Sequence, residues 1–235
     1  MSKNRAPAII KIRGVIFDLD GILIDSEKFY FRADQRMLQE YGIEFTREMK
    51  KEYIGCGNLD MMKIIRDKYD LPETPARLLK KKNSYYLEMA RREIETFPKT
   101  VRLLKRLSEE GYPLALASGS SPAVIDELLT ITGLKGCFSH IISSEEVKRG
   151  KPDPQVFLES ARRLALSPES CVVIEDSTQG VEAAKSGGML CIAIPSTVEK
   201  PLHPSFHLAD LLFDGGMEEF DENEAFRWIT ISGLC

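Results

Sequence analysis

The feature that most constrains the fold of this 235-residue chain is an alternation of short apolar runs, rich in β-branched residues, with longer stretches of helical periodicity. Runs at residues 9–17, 113–117, 140–143, 171–174 and 189–194, with a weaker sixth at 211–213, read as buried strands. Residues 100–111 set Val101, Leu104 and Leu107 on one helical face and end at glycine. Residues 122–133 open with proline after Ser121 and repeat Ile125, Leu128 and Leu129. Similar patterns at 154–166 and 177–187 complete the series. Helical patterns between most of the strands predict an α/β fold, a Rossmann-like open parallel sheet with helices on both faces.

Residues 27–97 interrupt this order with helical periodicity and glycine punctuation (Gly42, Gly55, Gly57) but no strand. The segment reads as an all-helical cap domain inserted into a discontinuous core of residues 1–26 and 98–235. Asp25-Ser26 and Phe97-Pro98 would be the paired linkers, and two crossings side by side make a hinge. After Phe220 the run Trp228-Ile229-Thr230-Ile231 is open between a docked strand and a loose end.

A formal charge of -4 gives no electrostatic reason to expect nucleic acid or an anionic membrane as partner, and leaves a small-molecule substrate open. The cysteines (Cys56, Cys137, Cys171, Cys191, Cys235) are odd in number and lack metal-ligand spacing. They fit a reducing cytoplasm, with Cys171 and Cys191 as small core side chains. No apolar run reaches the length of a membrane span, and the polar start is no secretory signal, so a cytoplasmic protein is expected.

The chemistry-bearing residues cluster where strands end. The first strand runs into Asp18-Leu19-Asp20-Gly21, and alternation lets both carboxylates face one small volume at the edge where open α/β sheets place their ligands. Two carboxylates that close need a shared proton or a cation, and a hard divalent ion such as magnesium suits a phosphate substrate. A DxDG tetrapeptide alone is equally a turn; as a calcium loop it fails, because Ile22 stands where a further oxygen ligand belongs. Three further strand ends add to it. Ser118-Gly119-Ser120 leads into a helix N-terminus, an anion-receiving position that would serve equally as a plain helix cap. Lys151 is stiffened between Gly150 and Pro152-Asp153-Pro154, and Glu175-Asp176-Ser177 supplies a second acidic pair.

Taken together, Phe17–Glu27, Ser118-Gly119-Ser120, Gly150–Pro154 and Val173–Ser177 with Gly180, Ala183, Ala184 and Gly188-Met189 resemble the haloacid dehalogenase-like superfamily over nearly the whole chain. Within it, the pattern is similar to the β-phosphoglucomutase-like phosphatases with an inserted helical cap. The resemblance implies Asp18 as nucleophile and Asp20 as acid/base. It implies magnesium held by Asp18, the Asp20 main-chain carbonyl and Asp176, with Glu175 as a direct or outer ligand. Ser118, Gly119 and Lys151 would hold phosphoryl oxygens. Tyr30, Gly55, Asn58 and Ser120 are the candidate specificity residues around the cap.

The expected activity is hydrolysis of a small phosphorylated metabolite, a sugar phosphate, by a monomer or weak homodimer. A sugar phosphomutase is the nearest rival. Tyr30, Ile54 and Asn58 depart from β-phosphoglucomutase, where histidine, lysine and arginine are expected, and Ser121-Pro122 replaces a Lys-Asn pair. Without those cations a bisphosphate would be poorly held. A catalytically silent metabolite-binding protein on the same scaffold is the rival of another class.

Overall fold

The structure is a computed structural model, and it describes residues 11–53, 56–196 and 198–231. Its sheet is built from β1 (Gly14–Phe17), β2 (Leu114–Ser118), β3 (His140–Ser143), β4 (Cys171–Glu175), β5 (Leu190–Ala193) and β6 (Leu211–Leu212). The strands are parallel throughout, in the order β3-β2-β1-β4-β5-β6. The chain moves outward from β1 to β3 and then returns to β4 on the other side of β1. That reversal opens a crevice beyond the C-terminal ends of β1 and β4, where ligands of such sheets bind.

Period-two alternation separates the two faces of the sheet. Val15, Phe17, Leu114, Leu116, Val172 and Ile174 enter one apolar cluster, while Ile16, Ala115, Ala117, Cys171 and Val173 enter the other. The first face is covered by α5 (Pro98–Glu109), α6 (Pro122–Ile131) and α9 (Glu222–Ile231); the second by α7 (Gln155–Arg163) and α8 (Thr178–Ser186). Up to residue 231, the last one described, the segment after Phe220 is neither an extra strand nor a loose end. It forms α9, whose Ala225, Phe226 and Ile229 are buried at helical spacing.

Strand β1 is shorter than residues 9–17 suggest: Lys11 to Arg13 lie outside it, and residues 9 and 10 fall outside the described residues. Its length is set by its neighbours, since β2 and β4 offer register partners only for Gly14–Phe17. Helix α5 begins at Pro98 rather than Thr100, with proline in the first turn, where its missing N–H costs nothing.

Residues 27–93 form α1 (Glu27–Gln39), α2 (Arg47–Lys51), α3 (Asn58–Tyr69) and α4 (Pro75–Glu93). Met37, Leu38, Phe45, Tyr53, Met61, Met62, Ile65, Leu78 and Leu79 share an apolar cluster of their own. The chain enters and leaves this helical unit along hydrogen-bonded neighbours: the Asp25 amide donates to the Glu95 carbonyl at 3.0 Å and the Phe97 amide to the Leu23 carbonyl at 2.9 Å.

Candidate active site

The end of β1 carries Asp18, whose amide donates to the Ile174 carbonyl at 3.0 Å, so the nucleophile candidate is tied to the adjacent strand. A single helical turn follows, closed by the amides of Leu23 and Ile24 on the Leu19 carbonyl. Gly21 sits in it at φ +79°, and a Cβ there would lie 2.1 Å from Oδ2 of Asp176. Only glycine permits both the left-handed backbone and the approach of the second acidic motif. Gly180, in ordinary helical backbone, makes room for Glu175: a Cβ would meet its Cδ at 1.9 Å.

Lys151 Nζ donates to Asp18 Oδ1 at 2.6 Å and to Glu175 Oε1 at 2.5 Å. Glu175 Oε2 accepts from the amides of Asp176 and Ser177 and from Ser177 Oγ, at 2.8, 2.9 and 2.9 Å. With that oxygen saturated, Glu175 acts chiefly to hold Lys151 and the turn carrying Asp176.

Asp18, Glu175 and Asp176 present carboxylate oxygens within 4.8 Å of one another. One buried ammonium cannot balance these three acids and neighbouring Asp20. Burial, reinforced by Glu175 and Asp20 and opposed by Lys151, pushes Asp18 up to about 8. Burial and the charges of Glu175 and Asp18 hold Asp176 well above the usual carboxylate range. Although burial works against it, Lys151 stays charged, because Asp18 and Glu175 raise its pKa above the ordinary value. This oxygen-only donor set with excess negative charge fits a hard divalent cation such as magnesium.

The Asp20 side chain makes its own contacts beside that cluster. Its Oδ2 accepts from Ser120 Oγ at 3.0 Å and lies 3.5 Å from Ser118 Oγ, while its buried Oδ1 has no hydrogen-bond partner among the described residues. Burial raises its pKa, against the hydrogen bonds from serines. The Ser120 loop is fixed from β3, where Ser143 Oγ donates to the Ser120 carbonyl at 2.6 Å. Gly119 is exposed beside it and lines a cleft between the loop and the helical unit.

Asp18, Asp20, Ser118, Ser120, Lys151, Glu175 and Asp176 thus meet in one place. Of the candidates in the helical unit, Tyr30 reaches this group: its hydroxyl is 2.5 Å from Ser120 Oγ and its ring stacks on Tyr86 at 4.3 Å. Packing and polar contact are both present, rather than one excluding the other. Asn58 opens α3 at the far end of the cleft, where Oδ1 accepts from Lys82 Nζ at 3.2 Å. Gly55 lies outside the described residues.

These motifs have counterparts in known proteins. The haloacid dehalogenase-like hydrolase profile matches residues 15–194. This chain belongs to that family. It is 36% identical to the bifunctional riboflavin kinase/FMN phosphatase of Arabidopsis thaliana, over 77% of this chain and 48% of that protein, so it spans about half the length of that relative. It is 31% identical to the probable pseudouridine-5'-phosphatase of Drosophila melanogaster, over 86% of this chain and 90% of the relative. Among solved structures, a variant of CbbY from Rhodobacter sphaeroides in complex with xylulose-(1,5)bisphosphate aligns with a TM-score of 0.78 and 26% identity, covering 89% of this chain and 99% of that one.

Sequence reasoning missed Lys82 and Asp34, fully buried and 2.8 Å apart, with part-exposed Lys50 on the other Asp34 oxygen at 2.7 Å. The signal was available. Leu78, Lys82, Tyr86 and Ala90 repeat every four residues on the buried face of α4, and Asp34 sits on the buried face of α1 between Ala33 and Met37. A lysine and an aspartate each interrupting an apolar stripe point to one another.

Proposed function

We propose that this chain is a magnesium-dependent phosphomonoester hydrolase that works through an aspartyl phosphate on Asp18, acting on a small phosphorylated metabolite of the sugar-phosphate class. The observation that carries the reading is the meeting of Asp18, Lys151, Glu175 and Asp176 beyond the ends of β1 and β4, with the orphan oxygen of Asp20 beside them. The relatives add to it, being named for phosphatases of FMN and of pseudouridine 5'-phosphate.

Lys151 holds one oxygen of Asp18, which leaves the other to form a bond to phosphorus in line with the departing oxygen. As the bond to the leaving alkoxide breaks, Asp20 gives that alkoxide a proton, with Ser120 keeping its Oδ2 fixed. Water then attacks the aspartyl phosphate, Asp20 takes back a proton, and the Asp18 carboxylate is released with inorganic phosphate. Ser118, the Gly119 amide and Lys151 receive the remaining phosphoryl oxygens. Magnesium, held by Asp18, Asp176 and the Asp20 carbonyl with Glu175 behind them, would neutralise phosphoryl charge.

The division into a core (residues 1–26 and 98–235) and a cap (27–97) belongs to the same reading. The hydrogen-bonded crossings and the separate apolar cluster of the cap support it. Closure would exclude water from the intermediate. Hydrolysis is favoured over mutation because Tyr30 and Asn58 stand where histidine and arginine are expected in β-phosphoglucomutase. Buried, proton-retaining Cys171 and Cys191 suit a reducing cytoplasm. The test is phosphate release from a panel of phosphorylated metabolites with magnesium and with chelator. Activity should need the metal, vanish in Asp18→Asn and fall steeply in Asp20→Ala; release that survives Asp18→Asn overturns the assignment.

A further inference from the structure

Lys82 lies fully buried in α4, ion-paired with Asp34 at 2.8 Å, and its ammonium also donates to Asn58 Oδ1 at 3.2 Å. An ammonium has three protons and no lone pair, so the oxygen of the Asn58 amide, and not its nitrogen, must face it. The amide is planar, and holding its oxygen in place holds its nitrogen too. Asn58 Nδ2 has no hydrogen-bond partner among the described residues, and it is not one of their sealed polar atoms. Asn58 itself is half-buried and lines the cleft that begins at Gly119 and Ser121. A molecule in that cleft therefore meets Asn58 as a donor.

The cleft has a volume of about 840 Å³, and its charges point the same way. Lys80 from the helical unit and Lys148 from the sheet side line it with ammonium groups that have no partner among the described residues, whereas Lys63 is paired with Asp60 at 2.7 Å. Glu145, also in the lining and also unpaired, offsets one of the two free ammonium groups. What remains among the described residues is one positive charge and one amide donor. That remainder matches a monoanion with acceptor oxygens, which is a carboxylate. A second phosphoryl group, with a charge near about -2 at neutral pH, would exceed it. A hydroxymethyl group would leave the charge unanswered and accept a weaker hydrogen bond, since bonds to ionised acceptors are about twice as strong.

We infer that the alcohol part of the substrate carries a carboxylate at the end remote from the scissile phosphate, as in a phosphorylated sugar acid, with Asn58 Nδ2 donating to it and Lys82 as the positioning residue that keeps this donor toward the cleft. The inference rests on the phosphatase reading for the placement of the phosphoryl group, and it narrows the sugar-phosphate class to its oxidised, acid-bearing members.

The test uses 6-phosphogluconate and glucitol 6-phosphate, which share a carbon chain and differ at the far end, a carboxylate in one and a hydroxymethyl group in the other, with fructose 1,6-bisphosphate as the doubly phosphorylated comparison. In magnesium, 6-phosphogluconate should exceed glucitol 6-phosphate in kcat/KM by roughly 12- to 160-fold, the worth of one hydrogen bond to a charged group. Asn58→Ala removes the donor and Asn58→Asp replaces it with a charged acceptor; each should erase most of that ratio, chiefly through KM. Asp34→Asn/Lys82→Met frees the amide to turn, and should lower the ratio without reaching that of Asn58→Ala. Calorimetry on Asp18→Asn with magnesium reads binding without turnover, and 6-phosphogluconate should bind roughly tenfold tighter or more. Equal or better handling of glucitol 6-phosphate or of the bisphosphate, or losses that strike all esters alike in Asn58 variants still folded by circular dichroism, overturns the inference; a wild-type ratio in the double variant overturns the role of Lys82. Absence of release from every ester sinks the phosphatase reading alone, because calorimetry still ranks the esters, and equal binding there overturns the inference on its own.

Discussion

Lys151→Met is the most informative single perturbation, because it keeps the side-chain stem against Phe157, whose ring centroid lies 4.9 Å from Nζ, and removes only the charge. The ammonium is about one-eighth exposed and the carboxylates of Asp18 and Glu175 are nearly sealed. Breaking a buried pair costs about 3–5 kcal/mol, since the abandoned charge keeps its desolvation penalty. At about 2–4 °C per kcal/mol for a chain of this size, Tm in chelator should fall by about 6–20 °C near pH 8.

The pH dependence has a definite sign. Asp18 releases its proton at 3.8 in the absence of the fold and at about 8 within it. Between those values the folded state therefore binds more protons than the unfolded one, and metal-free stability falls as pH rises. Lys151 works to lower the Asp18 pKa, so its removal extends the window upward, and the deficit of the variant should grow as pH rises above about 8. Saturating magnesium should restore part of the lost Tm by supplying positive charge to the same carboxylates. Differential scanning fluorimetry across pH, with and without metal, reads all of this. A deficit under about 2 °C at the alkaline end, or one that shrinks as pH rises, would refute the reasoning.

Other variants address the remaining contacts. Gly21→Ala imposes a left-handed strain of about 1–2 kcal/mol and drives a methyl group into Asp176, so the magnesium concentration for half-maximal phosphate release should rise; an unchanged metal titration would count against Asp176 as a ligand. Tyr30→Phe and Ser120→Ala should each lower kcat/KM by roughly 2- to 12-fold, the worth of one hydrogen bond. Because the tyrosine reaches Asp20 only through that serine, the double variant should be no worse than Ser120→Ala, and additive losses would break the chain of contacts. Asp34→Asn strips the counter-charge from buried Lys82 and from part-exposed Lys50, and should cost about 3–5 kcal/mol in urea denaturation, with the share due to Lys82 recovered in Asp34→Asn/Lys82→Met; equal instability of both would disprove the pairing with Lys82.

Much of this architecture is legible in the chain itself. The strand periodicity assigns residues to the two faces of the sheet, and each polar motif follows an apolar run because the ends of parallel strands are where backbone leaves the core. Strand lengths, by contrast, were set by partners distant in sequence, as the shortening of β1 to its overlap with β2 and β4 illustrates. The tail became a helix because Ala225, Phe226 and Ile229 could be buried beside α5. That choice depends on an available surface rather than on local preference.

By itself, then, the sequence determined the succession of elements and the kinds of groups delivered to the sheet's edge, because period and punctuation are local properties of the backbone. Tertiary structure alone decided which atoms face one another: Lys151 between Asp18 and Glu175, the Tyr30 hydroxyl against Ser120, and Asp34 against Lys82. These contacts join residues far apart in the chain, and only the packing of one element on another fixes their distances.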